Sequence, residues 1–130
     1  CEIVMQQKVH TKNAPQALGP YSQAIISGDL IFCSGQIGIS PANGELVEGG
    51  LVMQTHQVIK NLSAVLEEAG SSLKHVVKTT CYLTNISDFP QFNEVYAEYF
   101  GESKPARATV GVAELPKGAV VEIEVVARTA

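Results

Sequence analysis

From Lys104 to Ala127 the chain reads KPARATVGVAELPKGAVVEIEVVA, and no other stretch limits the possible folds so sharply. Two β-rich runs, Ala108 to Ala113 and Ala119 to Ala127, flank Leu115-Pro116-Lys117-Gly118. Pro and Gly supply the fixed and positive φ values of a turn, so the stretch predicts a β-hairpin. Side chains of a strand alternate, which sets Val121, Ile123 and Val125 on an apolar side and Glu122 and Glu124 on a polar one. Arg107 opens the first run directly after Pro105, and the hairpin would bring it onto the same polar face as Glu122. Acidic strand residues usually do no more than solvate an exposed side. An acid enclosed by Val120, Val121, Ile123, Val125 and Val126 is instead a candidate for chemistry.

The rest of the chain must bury the apolar side of that sheet. Val4 to His10 predicts a first edge strand, and Thr11 to Pro20, with Asn, Pro and Gly, predicts a loop that Tyr21 ends. Ser22 to Ser27 and Leu30 to Ser34 are β-type runs separated by Gly28-Asp29, the spacing of a tight hairpin. Gly38 to Gly50 is loop, with a turn expected at Asn43-Gly44. Val58, Leu62, Val65, Leu66 and Ala69 recur at helical spacing within Leu51 to Ala69, and Gly70 supplies the stop; His56, Lys60 and Glu67 are expected to face water. His75 to Leu83 is β-branched and aromatic, hence a strand. After Ser87-Asp88, the residues Phe92, Val95, Tyr96, Tyr99 and Phe100 form the stripe of a second helix that Gly101 closes. The order predicts an α+β fold in which a mixed sheet is covered by two helices.

A length of 130 residues fits one domain able to bury about two thirds of its unfolded surface. Hydrophobic residues make up 45% and charged residues only 17%, a balance that points to buried surface beyond a single subunit. Nine Lys plus Arg against thirteen Asp plus Glu leave a net charge of -4, and no basic run offers a footprint for nucleic acid. The apolar runs are far below the ~20 residues that cross a bilayer. Cys1, Cys33 and Cys81 show no CxxC spacing, so neither a disulfide framework nor a zinc site is expected, and reduced thiols fit a cytoplasmic protein, with organelle import and a removed leader before Cys1 left open. His10, His56 and His75 lie far apart, and no phosphate-binding Gly loop or nucleophile elbow is present. No metal, cofactor or covalent catalysis is therefore expected.

Pro105-Ala106-Arg107-Ala108-Thr109-Val110, Leu115 and Val121-Glu122-Ile123 resemble the signature of the RidA (YjgF/YER057c/UK114) family in residue type and spacing. Leu18-Gly19-Pro20-Tyr21-Ser22-Gln23-Ala24 and Ser34-Gly35-Gln36 resemble two further motifs of that family, and the likeness runs over nearly the whole chain. The resemblance implies a chorismate-mutase-like fold and a homotrimeric barrel with three clefts between neighbouring subunits. It implies hydrolysis of 2-enamino and 2-imino acids, released by pyridoxal-phosphate dehydratases, to 2-oxo acids and ammonia before they damage other enzymes. Arg107 would grip the substrate carboxylate, Glu122 would manage protons, Tyr21 would line the active site, and Ser34, Gly35 and Asn93 would lie against the ligand. Many members carry Cys where this chain has Thr109, which reads as a pocket wall and bears on substrate preference. Two other functions are carried forward: a regulatory module that binds small carboxylates and, with less physical support, an endoribonuclease or translation inhibitor.

Overall fold

In the computed structural model, which describes residues 6–130, one six-stranded sheet carries two helices. The elements in chain order are β1 (Gln6–Val9), β2 (Ala24–Ser27), β3 (Leu30–Ile37), α1 (Gly50–Glu68), β4 (Val76–Leu83), α2 (Phe89–Phe100), β5 (Ala106–Gly111) and β6 (Val121–Arg128). The expected first strand thus begins at Gln6, its Val4 and the thiol of Cys1 lying outside the described residues. Among the described residues no helix is long and apolar enough to cross a membrane.

β2 and β3 pair as the sequence predicts, Ser27 opposite Leu30, with Gly28 turning the chain at φ 61 in the first central position of the two-residue loop. The helix read from the 3.6-residue spacing is α1, and its end shows why Gly70 stops it. Gly70 adopts φ 81, its N–H bonds to Glu67 C=O, and Ser71 N–H reaches back to Leu66 C=O. These are the two closing bonds of a Schellman cap.

The predicted hairpin between β5 and β6 does not form. The sheet order is β1-β2-β3-β6-β4-β5, so β4 lies between the two strands. β5 runs parallel to β4, with Thr79 beside Arg107, and β6 runs antiparallel to β4, with Tyr82 beside Glu122. The reason is the crossover: β4, α2 and β5 form a βαβ unit, and parallel strands cannot be joined by a tight turn. With β5 on one side of β4, β6 takes the other. The Pro116–Gly118 segment still turns, Lys117 at φ 58 and Gly118 at φ 72, but it carries the chain over the end of β4. Val112 N–H donates to Leu83 C=O and Thr84 N–H donates to Val120 C=O.

Both helices use the same face. Val121, Ile123, Val125 and Ala127 of β6 join Ile31, Cys33, Cys81 and Leu83 in one core with Val58, Ile59, Leu62, Val65 and Leu66 of α1 and Phe92, Tyr96 and Phe100 of α2. Among the described residues no helix covers the opposite face, and Phe32 and Val110 on it stay 46% and 42% exposed. His56 departs from expectation: it is half-buried between the helices, its Nδ1 hydrogen-bonded to Tyr99 Oη at 2.6 Å. Three buried amides hold the irregular segments. Asn61 of α1 donates to the carbonyls of Ile37 and Ile39, and Gln54 Oε1 accepts from Val120 N–H.

Gln23, 2% exposed, accepts from Thr11 N–H at 2.7 Å and donates to the carbonyls of Thr11 and Pro15 at 3.1 and 2.8 Å. A Gln23→Leu variant keeps the volume but orphans those groups, at about 1–3 kcal/mol for each one that stays buried. The midpoint of urea unfolding should fall by an amount worth ~2–4 kcal/mol with the m-value unchanged; an unmoved midpoint would show that water replaces the amide without cost.

Candidate active site

Glu122 belongs to β6, where alternation turns Val121 and Ile123 into the core and leaves the carboxylate on the uncovered face. There it overlies a bulge in β3, between Cys33 and Gln36. Bulges re-aim a strand, and this one contains Gly35. A Cβ built on Gly35 would overlap Glu122 Oε2 and come within 2.9 Å of its Cδ. Gly35 therefore makes room for the carboxylate of Glu122. The resemblance lays Gly35 against a ligand; in the fold its bare backbone admits the Glu122 carboxylate, and both residues line one cleft.

The surrounding cleft, ≈ 530 Å³ in volume, is within the range of small-molecule sites. Tyr21, Gly35 and Glu122 line it together with Pro15, Lys117 and the Ile39–Pro41 turn. Gln23, itself part of the lining, and Asn61 fix two of these walls through the carbonyls of Pro15 and Ile39, roles that nothing in their sequence context announced. Half-burial holds the Glu122 carboxyl above its usual range, with the charge of Glu124 adding to the shift. Glu124 itself accepts a hydrogen bond from Tyr82 Oη, which is the chief reason that the phenol is pushed up to about 12. The two acids of one strand face thus differ: Glu124 is paired at the surface, and Glu122 is aimed into a cleft.

Arg107 is elsewhere. Its parallel partner Thr79 is fully buried on the helix-covered side, so Arg107 and Thr109 share that side while Glu122 projects from the other. The expectation that one polar face carries both is wrong because β5 pairs with β4 and not with β6. Arg107 Nη1 donates to Asn93 Oδ1 at 2.7 Å, and the guanidinium lies over the rings of Tyr96 and Phe89. It lines a second cleft with Asn93, Tyr96, Lys104 and Pro105. Thr109 Oγ1 is buried with no hydrogen-bond partner among the described residues. Ser34 joins neither group, its hydroxyl donating to Ser22 C=O at 2.6 Å.

Cys81, beside Thr109 in the adjacent strand, is buried and its thiol is pushed up to about 11, chiefly by desolvation. Cys33 is pushed up to about 12 by burial. Neither holds thiolate near neutral pH. Among the described residues no three of His, Cys, Asp and Glu are grouped to hold a metal ion.

The family model described as Endoribonuclease L-PSP matches residues 11–129. A RutC family protein of Pyrococcus horikoshii is 54% identical, over 95% of this chain and 98% of its own. The human 2-iminobutanoate/2-iminopropanoate deaminase is 46% identical, over 95% of this chain and 90% of its own. The crystal structure of RidA from an Antarctic Psychrobacter superposes with a TM-score of 0.90 at 48% identity, covering 94% of this chain and 98% of that one. The chain belongs to the RidA family. Its sheet with two helices is the fold of that family. Within this chain, however, Tyr21, Gly35 and Glu122 line one cleft and Asn93 and Arg107 another, on the opposite side of the sheet.

Because Gly35 makes room only for the flexible end of Glu122, a Gly35→Ala variant should fold with near-normal stability. Its added methyl displaces the carboxylate, and a turnover that uses Glu122 as acid or base should fall on the order of 10²-fold. Circular dichroism with an activity assay checks this; full activity would mean that the position of the carboxylate over the bulge is immaterial.

Proposed function

We propose that this protein is a hydrolytic deaminase of small 2-imino and 2-enamino acids, yielding 2-oxo acids and ammonia. The observation that carries the reading is the Glu122 carboxylate, half-buried, raised in pKa and laid over Gly35 inside a cleft. Such a group is a proton acceptor set in place before substrate arrives. The similarity to the human deaminase supports the same substrate class.

An enamino acid first gains a proton at C3 and becomes the iminium, the protonated form of the imine, whose C2 is strongly electrophilic. Water attacks C2 while Glu122 takes one of its protons, giving a carbinolamine. Glu122 passes that proton to the nitrogen, the C–N bond breaks, ammonia leaves, and the hydroxyl gives its own proton back to Glu122 as it collapses to the 2-oxo group. Arg107 binds the carboxylate through two parallel hydrogen bonds of its planar fork. The faces of the sheet keep Arg107 away from Glu122 within one subunit, so a complete site takes Glu122 and Tyr21 from one subunit and Arg107 of the partner subunit. A homotrimer supplies three such sites and covers the apolar face that bears Phe32 and Val110. The endoribonuclease of the family description has weaker support, since a chain of net charge -4 has no basic stripe for RNA.

Added to a threonine dehydratase reaction, the protein should speed the release of ammonia and 2-oxo acid; no acceleration would overturn the reading. Arg107→Ala should lose roughly 30- to several-thousand-fold in kcat/KM without rescue by Lys, which lacks the fork. Glu122→Gln should lose about 10²–10⁴-fold, whereas Glu124→Gln should stay near wild type because its carboxylate serves Tyr82. Equal small effects of the two Gln variants would reduce the acidic face to solvation. Mixing the inactive Arg107→Ala and Glu122→Gln proteins under subunit exchange should restore roughly one quarter of wild-type activity, because head-to-tail interfaces of a cyclic trimer then pair an intact Arg107 with an intact Glu122. No recovery after verified exchange, or full activity in a sedimenting monomer, would contradict the shared site.

A further inference from the structure

Arg107 sits on an edge strand and is exposed, yet it is held on three sides. Its Cζ lies 4.7 Å from the ring centroid of Tyr96 and 5.2 Å from that of Phe89, and its Nη1 is bonded to Asn93 at 2.7 Å. The Tyr96 ring is itself fixed. It packs against Phe100 at a centroid distance of 4.7 Å, and its hydroxyl hydrogen-bonds Thr79 Oγ1, fully buried in β4, at 2.8 Å. We propose that Tyr96, assisted by Phe89, is a positioning residue that orients the Arg107 guanidinium before a carboxylate binds.

A long side chain on an open edge would sweep many rotamers, and a ligand would have to freeze them. A face-on cation–aromatic contact fixes the guanidinium plane, and the bond to Asn93 fixes its rotation within that plane. The rest of the fork is left for a carboxylate. Tyr96 also serves the core, as its 7% exposure shows. Packing alone would explain the ring but not why a cation lies over its face. The proposal rests on Arg107 being the carboxylate-binding residue of the deaminase reading.

The test is run on the full-length chain with Tyr96→Phe, Tyr96→Leu and, in case the latter fails to fold, Phe89→Leu. In ¹⁵N–¹H spectra the Arg107 Nε–Hε resonance, assigned by its loss in Arg107→Ala, should be shifted upfield by the rings in wild type and Tyr96→Phe. In the Leu variants it should move back toward the position of an unstacked arginine. In the dehydratase-coupled assay a Leu variant should lose about 3- to 30-fold in kcat/KM, the range of one cation–π contact, mainly through KM, while Tyr96→Phe, which keeps the ring and gives up only the bond to Thr79, should lose less. In an Arg107→Lys background the Leu substitution should cost little more. An unmoved Nε–Hε resonance in the Leu variants, equal losses in Tyr96→Phe and Tyr96→Leu, or full additivity with Arg107→Lys would overturn the proposal. If no variant nor wild type turns over substrate, the deaminase reading fails, and the spectra alone still decide whether the aromatic residues position Arg107.

Discussion

Burial of Val121, Ile123, Val125 and Ala127 under the helices is the interaction on which the rest of the molecule depends. The side chains of β6 alternate, so committing these four to the core commits Glu122 and Glu124 to the other face. β6 is also central, paired with β3 on one side and β4 on the other. Its position therefore sets the bulge at Gly35 against Glu122 and pushes β5, with Arg107, to the edge. A one-residue slip of β6 would put the acids into the core, so the register that stabilises the core also aims the carboxylate.

Much of this was legible in the sequence, because the signals concerned are local. The spacing of Val58, Leu62, Val65 and Leu66 needs only helix geometry, Gly28-Asp29 only turn geometry, and the Glu122 side of its strand only the period of two. Gly35 was legible as a motif residue, but not the carboxylate that it makes room for, since that depends on a bulge formed against a strand distant in the chain. The false hairpin has the same origin. Pro116 and Gly118 do turn the chain, yet no local signal shows that β4 has already taken the place beside β5. His56 was misread because its partner, Tyr99, lies on the other helix. The roles of Gln23 and Asn61 are fixed by which loop carbonyls reach them, which a hydrophobic pattern does not encode.

The separation of Arg107 from Glu122 follows from strand pairing and is the structural basis for reading the site as shared. Each half is prepared on its own. Glu122 is seated by a glycine without a side chain, and Arg107 by aromatic rings and an amide. On the proposed reading neither half is complete alone, since the face that carries Glu122 lacks the Arg107 fork. The uncovered apolar residues and the divided motif both support the proposal that the site is completed by a second subunit.

The loop before β2 has no regular secondary structure, yet its backbone is tied to the buried Gln23 amide at Thr11 and Pro15. A wall of the cleft is thereby ordered as the chain folds, and its conformational entropy is lost at that stage. A small ligand entering the cleft meets a surface that does not have to become rigid. The free energy of its few polar contacts is available for affinity and is not consumed in ordering the loop.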